Sequence, residues 1–347
     1  MKKPVVAVGM SGGVDSSVSA LLLKEQGYEV FGLFMRNWEE GEDCPAEADF
    51  ADMARVCDQI GIPYYTVNFT KEYWDEVFSE CLKDFEKGIT PNPDILCNRQ
   101  IKFHHLLEKA KRLGADKLAT GHYCQIGPGG TLLRGADLNK DQSYFLHAVS
   151  HEKLEQALFP IGHLPKPEVR EIAKKQGLLT HAKKDSTGIC FIGKRAFRPF
   201  LSQFLKPKPG PFQTLEGKVL GTHEGAHLYT IGQRKGLGIG GPGEAWFVAN
   251  KDIQENIVYL VQGENHPALL KKELIGTNPI WISGLPPIFP LTCTAKIRYR
   301  QEDSTCTVTQ EGDLLLVTFE DSQKAVTPGQ SIVFYQGNHC LGGATIS

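Results

Sequence analysis

Three short stretches of this 347-residue sequence carry side chains whose types and spacing could do chemistry. Ser11-Gly12-Gly13-Val14-Asp15-Ser16-Ser17 sets two glycines among hydroxyls and one carboxylate. Between a strand and a helix such a loop collects an anion, because its backbone amides and the helix dipole both point there. The glycines let the backbone approach phosphate closely, and Ser11, Ser16 and Ser17 offer hydroxyl donors. Without a ligand the same residues would make a plain glycine-rich turn. No Gly-Lys-Ser/Thr follows, so this is not a Walker A loop. Cys97 closes Thr90-Pro91-Asn92-Pro93-Asp94-Ile95-Leu96-Cys97, read as a proline-stiffened loop entering a helix N-terminus at Asn98-Arg99. The helix end and Arg99 would both favour a thiolate, and Asp94 is a candidate general acid or base. Cys190 lies in Lys183-Lys184-Asp185-Ser186-Thr187-Gly188-Ile189-Cys190-Phe191-Ile192-Gly193; on its own surroundings it reads as a buried structural thiol.

The elements that must position these residues alternate strand and helix. Val5 to Gly9 reads as a strand buried on both faces of a parallel sheet, and Val30 to Met35, Tyr64 to Asn68 and Lys117 to Thr120 as three further strands. Between them, apolar residues recur at helical spacing from Val14 to Leu22, from Ala46 to Ile60 and from Arg99 to Leu113. The stripe Trp74, Val77, Phe78, Cys81, Leu82, Phe85 marks a further helix over Lys71 to Lys87. The order predicts an α/β doubly wound parallel sheet with ligands at the carboxyl ends of its strands. At Lys206-Pro207-Lys208-Pro209-Gly210-Pro211 the texture changes to short β-rich runs with turn signals, read as two small β-rich domains divided near Gly276 to Pro287. The expected domains are therefore 1–205, 206–275 and 276–347. Gly238-Ile239-Gly240-Gly241-Pro242-Gly243 matches a dinucleotide fingerprint in form only, since Pro242 lacks an amide and no helix pattern follows.

Composition excludes other classes. With 41% hydrophobic and 22% charged residues the chain is neither disordered nor membrane-spanning, and its N-terminus lacks a secretory pattern, so the expected address is the cytoplasm. Nine cysteines without any C-x-x-C read neither as a disulfide framework nor as a zinc or iron-sulfur site, and no dedicated metal site is expected. Cys57 and Cys81 read as core, Cys293 and Cys306 as strand residues, and Cys44 as a thiol dulled by acidic neighbours. Net charge is −2, yet acids crowd Asn37 to Asp58 (Glu39, Glu40, Glu42, Asp43 among them) and bases crowd Lys194 to Lys235. The basic stretch permits a polyanionic partner.

The glycine-serine loop resembles the PP-loop of enzymes that cleave ATP between the α and β phosphates. Together with Thr90 to Asn98, Thr120-Gly121-His122-Tyr123, Lys140-Asp141-Gln142-Ser143-Tyr144, Asp185 to Gly193 and Tyr229 to Gly238, it resembles the bacterial tRNA-specific 2-thiouridylase family (MnmA) over essentially the whole chain. That resemblance implies a PP-loop nucleotide domain followed by a small β-rich domain and a C-terminal β-barrel. The implied reaction is ATP-dependent sulfur transfer to C2 of the wobble uridine in tRNAs for Lys, Glu and Gln. It further implies ATP on Gly9, Met10, Ser11, Gly12, Gly13, Val14, Asp15 and Ser16, with Met35 and Gly121 completing the site and Mg²⁺ accompanying the nucleotide. Asn92, Pro93 and Asp94 would meet the target base; Lys140, Asp141, Gln142, Tyr299 and Arg300 would contact tRNA. Cys190 would carry a persulfide loaded by a sulfur-relay protein or cysteine desulfurase, Cys97 would be the nucleophile, and the two would share a redox disulfide. Lys296, Arg298 and Arg300 alternate with Ile297 and Tyr299, which on one strand makes a basic face. Two other readings share part of this pattern: an amidotransferase-type PP-loop synthetase, and an RNA-binding module without catalysis.

Overall fold

The structure, a computed structural model, describes residues 3–38, 45–184 and 197–347. Cys44, Cys190, the Asp185 to Gly193 motif, the acids Glu39, Glu40, Glu42 and Asp43, and the bases Lys194 and Arg195 lie outside the described residues.

The apolar runs of the first half become β1 (Val5–Met10), β2 (Glu29–Arg36), β3 (Tyr64–Asn68) and β4 (Lys117–Ala119). A hairpin of β5 (Cys124–Ile126) and β6 (Leu132–Arg134) follows, then the two-residue β7 (Ala157–Leu158). The sheet runs β3-β2-β1-β4-β7, all parallel. Val6, Ala7 and Val8 of β1 are fully buried, as a central strand covered on both faces requires. Helix α1 (Val14–Glu25) leaves β1, and α2 (Pro45–Ile60) leaves β2. Residues 70–86 form α3, with a π turn in its middle.

The next helix departs from expectation. Asn92 caps it and Pro93 takes its first turn, so α4 runs through residues 93–112 with a π stretch from Cys97 to Leu106. Proline is pre-organised for a first helical turn, which turns the supposed loop into helix. Trp74, expected inward, is 39% exposed and closes the rim of an aromatic cluster with Trp38, Phe78 and Phe204.

α5 (Ser143–Leu146), α6 (Lys166–Lys175) and α7 (Phe197–Leu201) complete the first part. The middle part is the sheet β10-β11-β8-β9, from β8 (Gly210–Gln213), β9 (Val219–His223), β10 (Trp246–Asp252) and β11 (Ile257–Gln262). Its Phe212, Leu228, Tyr229, Val248 and Val258 share one apolar core with Leu33, Val77 and Cys97 of the first part, bridged by Phe200 and Leu201. The Gly238 to Gly243 stretch is a loop.

The last part is a closed barrel of β12 (Leu270–Trp281), β13 (Leu291–Lys296), β14 (Ser304–Glu311), β15 (Leu314–Lys324), β16 (Ser331–Gln336) and β17 (His339–Ile346), sealed by β12 pairing with both β15 and β17. The expected division at 275/276 falls inside β12, a single strand. The β5-β6 hairpin adds to this barrel's sheet through β6 and β17.

A basic face on one strand does not form. β13 ends at Lys296, and Arg298, Tyr299 and Arg300 lie in the turn beyond it. Arg298 turns inward and donates to Ile231 O, Ala325 O and Thr327 Oγ1, while Lys296 faces Asp303. Cys293 and Cys306 are direct cross-strand partners, buried with Sγ atoms 3.8 Å apart.

Candidate active site at the carboxyl edge of the parallel sheet

The strand-to-helix turn after β1 places Ser11 to Ser16 where a doubly wound sheet receives ligands. Gly13 caps α1 without any side-chain hydrogen bond to its amides. The hydroxyls are organised locally: Ser16 Oγ accepts from Ser11 N at 3.2 Å, and Ser17 Oγ donates to Gly13 O at 2.8 Å. Met35 lies near the end of β2, and Gly121 follows β4. A Cβ on Gly121 would stand 2.9 Å from Asp15 and Ser16 backbone atoms, so only glycine lets this strand end approach the loop.

Asp15 anchors a network that the sequence did not announce. Lys166 Nζ donates to its two carboxylate oxygens at 2.7 and 2.8 Å, and Tyr123 Oη donates to Oδ1 at 2.6 Å. Lys166 is buried at the first position of α6, where a helix dipole disfavours a cation. That local conflict, compensated by Asp15, was the one available signal for Lys166. Tyr123 is tied onward to Gln142, whose Oε1 accepts from Tyr123 N and whose own N–H donates to Tyr123 O, both at 3.0 Å.

Cys97 is fully buried one turn into α4, within the core that also holds Trp38, Phe78 and Phe200. It does not sit at the helix end that would most favour a thiolate. Asn92, Pro93 and Asp94 are half-buried and open the same helix. The next residue, Asn98, is buried; its Nδ2 donates to Phe145 O, while its Oδ1 has no partner.

Described residues flank the segment that bears Cys190. Before it, Lys183 donates to Asp49 and Asp52 of α2, and the Asp49 backbone packs against Gly12 of the loop. After it, Phe200 and Phe204 pack edgewise on Trp38, 5.7 and 6.3 Å between centroids.

Family models match the chain almost end to end: the tRNA methyl transferase HUP domain over residues 4–194, its PRC-barrel domain over 198–262, and the aminomethyltransferase beta-barrel domain over 271–346. The tRNA-specific 2-thiouridylase MnmA of Protochlamydia amoebophila is 59% identical over 98% of this chain and 93% of that protein. The chain belongs to the tRNA-specific 2-thiouridylase family. Its namesakes from Alkaliphilus oremlandii (55% identical, 99% of this chain and 97% of that protein) and Coxiella burnetii strain RSA 493 (56%, 99% and 98%) agree. Among solved structures, the U34-tRNA thiolase NcsA from Methanococcus maripaludis covers 58% of this chain and 65% of its own at 22% identity and a TM-score of 0.37, too remote to bear on the assignment.

Within the family's pattern, the residues expected on tRNA divide sharply. Asp141 is buried: its Oδ1 accepts from Gly135 N and Ser143 N, its Oδ2 from Ser143 Oγ, and Arg134 lies 3.6 Å away. Gln142 is held by Tyr123, as above. Tyr299 packs at a tilt against Phe145, 4.5 Å between centroids, and donates to Lys140 O at 3.3 Å; burial, with Asp141 nearby, pushes its phenol up to about 12. Arg300 is exposed on its turn, and the Lys140 side chain is half-exposed. Among the described residues no three His, Cys, Asp or Glu gather as metal ligands, and no helix is long and apolar enough to cross a membrane.

Proposed function

We propose that the chain is a cytoplasmic tRNA-uridine 2-sulfurtransferase that forms 2-thiouridine at the wobble position of tRNAs for Lys, Glu and Gln. The observation that carries the reading is near-full-length likeness to proteins named for that activity, in a chain whose glycine-serine loop and Cys97 helix both open on the carboxyl edge of one sheet. ATP occupies Gly9 to Ser16 with Met35 and Gly121, and Mg²⁺ arrives with it to balance phosphate charge.

A uracil C2 carbonyl needs activation, because oxide is a poor leaving group. Its oxygen attacks the α-phosphorus and expels pyrophosphate, with Lys166 and the loop amides beside the developing charge. Sulfur arrives as a persulfide on Cys190, loaded by a sulfur-relay protein or cysteine desulfurase. Either the terminal sulfur attacks C2 and Cys97 then attacks Cys190 Sγ, breaking its S–S bond and leaving the outer sulfur on C2, or Cys97 attacks Cys190 Sγ first and the sulfide so freed attacks C2. On both routes AMP leaves and a Cys97–Cys190 disulfide forms, which an external dithiol must reduce. The wobble base enters from a single-stranded loop, where leaving its stack costs little.

The test is incubation with ATP, a persulfide donor and an unmodified tRNA transcript. Nucleoside mass spectrometry should find 2-thiouridine, with AMP and pyrophosphate released only when tRNA is present. Turnover without tRNA would indicate a small-molecule synthetase; binding without turnover would indicate an RNA-binding module.

A further inference from the structure

All three parts of the chain meet at Thr90, immediately before the residues assigned to the target base. Thr90 N donates to Pro328 O at 3.0 Å, and its Oγ1 lies 3.4 Å from Thr230 Oγ1 of the middle part. Gln330, from the last barrel, donates through Nε2 to Thr90 O at 2.8 Å and Pro91 O at 3.3 Å. Gly329 comes so close that a Cβ there, already strained at φ +88°, would lie 2.2 Å from Ile89 and 2.9 Å from Thr90 O. The 325–330 turn is held in turn by Arg298, whose guanidinium joins Ala325 O and Thr327 Oγ1 to Ile231 O, and by Ile346 N donating to Gln330 O at 2.8 Å.

We propose that Gln330 is a positioning residue for sulfur transfer: its amide fixes the two carbonyls preceding Asn92-Pro93-Asp94, and so sets where α4 begins and where Cys97 stands one turn later. The inference rests on the thiouridylase reading for its kinetic consequence and on geometry alone for its effect on Cys97. Between Pro93 and Cys97 the helix rises only about 6 Å, so a shift of the loop is delivered to the thiol almost undamped. Misplacing a reacting group by about 1 Å can cost on the order of a hundredfold in rate. The clasp also joins the barrel that carries exposed Arg300 to the loop where the base is placed, through Arg298 two residues away.

The experiment uses the full chain with Gln330→Met, which keeps the side chain's length and loses its donor, and Gln330→Glu, which keeps its shape and loses the donor. Gln310→Met, on the barrel's exposed side, is the control. Three quantities are read: single-turnover thiolation at saturating tRNA, tRNA affinity by filter binding, and the alkylation rate of Cys97 resolved by peptide mass spectrometry. The expected result for both Gln330 variants is a thiolation rate lower by about tenfold or more, tRNA affinity within about twofold of wild type, and faster Cys97 alkylation. Unchanged thiolation and unchanged Cys97 reactivity would overturn the proposal, as would a loss that follows tRNA affinity or thermal stability alone. Should wild type form no 2-thiouridine while Cys97 alkylation still rises in the variants, the thiouridylase reading fails and the clasp stands.

Discussion

Lys166 and Asp15 are 151 positions apart, yet Nζ of one lies within 2.8 Å of both carboxylate oxygens of the other. The pair ties the start of α6 to the glycine-serine loop. Lys166→Met and Asp15→Asn should each lower tRNA-dependent ATP cleavage by about tenfold or more, with Ser16→Ala acting in the same direction. Affinity for tRNA should survive, because the proposed tRNA contacts Arg300 and Lys140 are on other elements. Equal loss of both in parallel assays would contradict that separation.

The two thiols make a sharper test. Cys190→Ser should abolish 2-thiouridine and leave no transferable sulfur on the protein. Cys97→Ser should stop turnover while Cys190 still accepts sulfur from a donor, as seen by mass spectrometry. Sulfur found on Cys97 instead would reverse the two roles, and a thiouridine-forming variant of either kind would sink the two-cysteine mechanism.

Arginines 298 and 300 should behave as different kinds of residue. Arg300→Ala is expected to weaken tRNA binding and reduce the salt slope by about one unit or less, with melting unchanged. Arg298→Ala removes the guanidinium shared by Ile231 O, Ala325 O and Thr327 Oγ1, leaving the two carbonyls only the Thr327 hydroxyl, and should cost about 1–3 kcal/mol of stability. Identical melting curves for the two variants would place Arg298 outside the fold's support.

Acid should loosen the junction between the sheet and the barrel. His147 is buried with Nδ1 donating to Tyr144 O and its ring against Gly343 of β17, and burial pulls its pKa down to about 4. An imidazole that resists protonation only when folded contributes stability that is present above its unfolded value near 6.5 and lost as pH falls from there towards 4. At pH 5 the loss is about 2 kcal/mol for this group, and His223, also lowered to about 4 by burial, acts in the same sense. Denaturant unfolding at pH 7 and pH 5 should show the drop, and His147→Asn should flatten it. Equal stability at both values would mean that the ring is protonated in place.

Cys57 and Cys81 are pushed up to about 12 by burial, with an acid neighbour adding to it, so both thiols stay protonated at pH 8. Native protein should resist alkylation at these positions and lose that resistance only on unfolding. Labelling of either in the native state at the rate of a free thiol would show the core to be open.

The central strands of the parallel sheet were legible because a buried strand needs an apolar run, as β1 and β2 have; the edge strand β3, half exposed, was legible from its aromatic and β-branched residues. The place of the glycine-serine loop was legible for a similar reason: an apolar run before it and a helical stripe after it set the turn between β1 and α1. The start of α4 was not, because two prolines in Pro91-Asn92-Pro93 look like loop unless Pro93 is recognised as a first helical residue. Arg298 alternates correctly for a surface strand, and nothing in its neighbours reveals that the chain turns at Ile297. Lys166 and Gln330 act across long separations on a carboxylate and on backbone carbonyls, neither of which leaves a mark in local spacing.

The β5-β6 hairpin carries a consequence for biosynthesis. Leu133 pairs with His339, about two hundred positions downstream, so the hairpin's outer edge has no mate until that much more chain has been made. At about 5–20 residues per second that is an interval of roughly 10–40 s, during which an open strand edge of the nucleotide-binding part is free to pair with the wrong chain. Arg134 waits somewhat less long for Asp303, 169 positions on, and nearly as long for the Tyr335 ring. Deleting β17 would therefore harm more than the barrel: it would leave the β5-β6 hairpin without its pairing strand in the half of the protein made first.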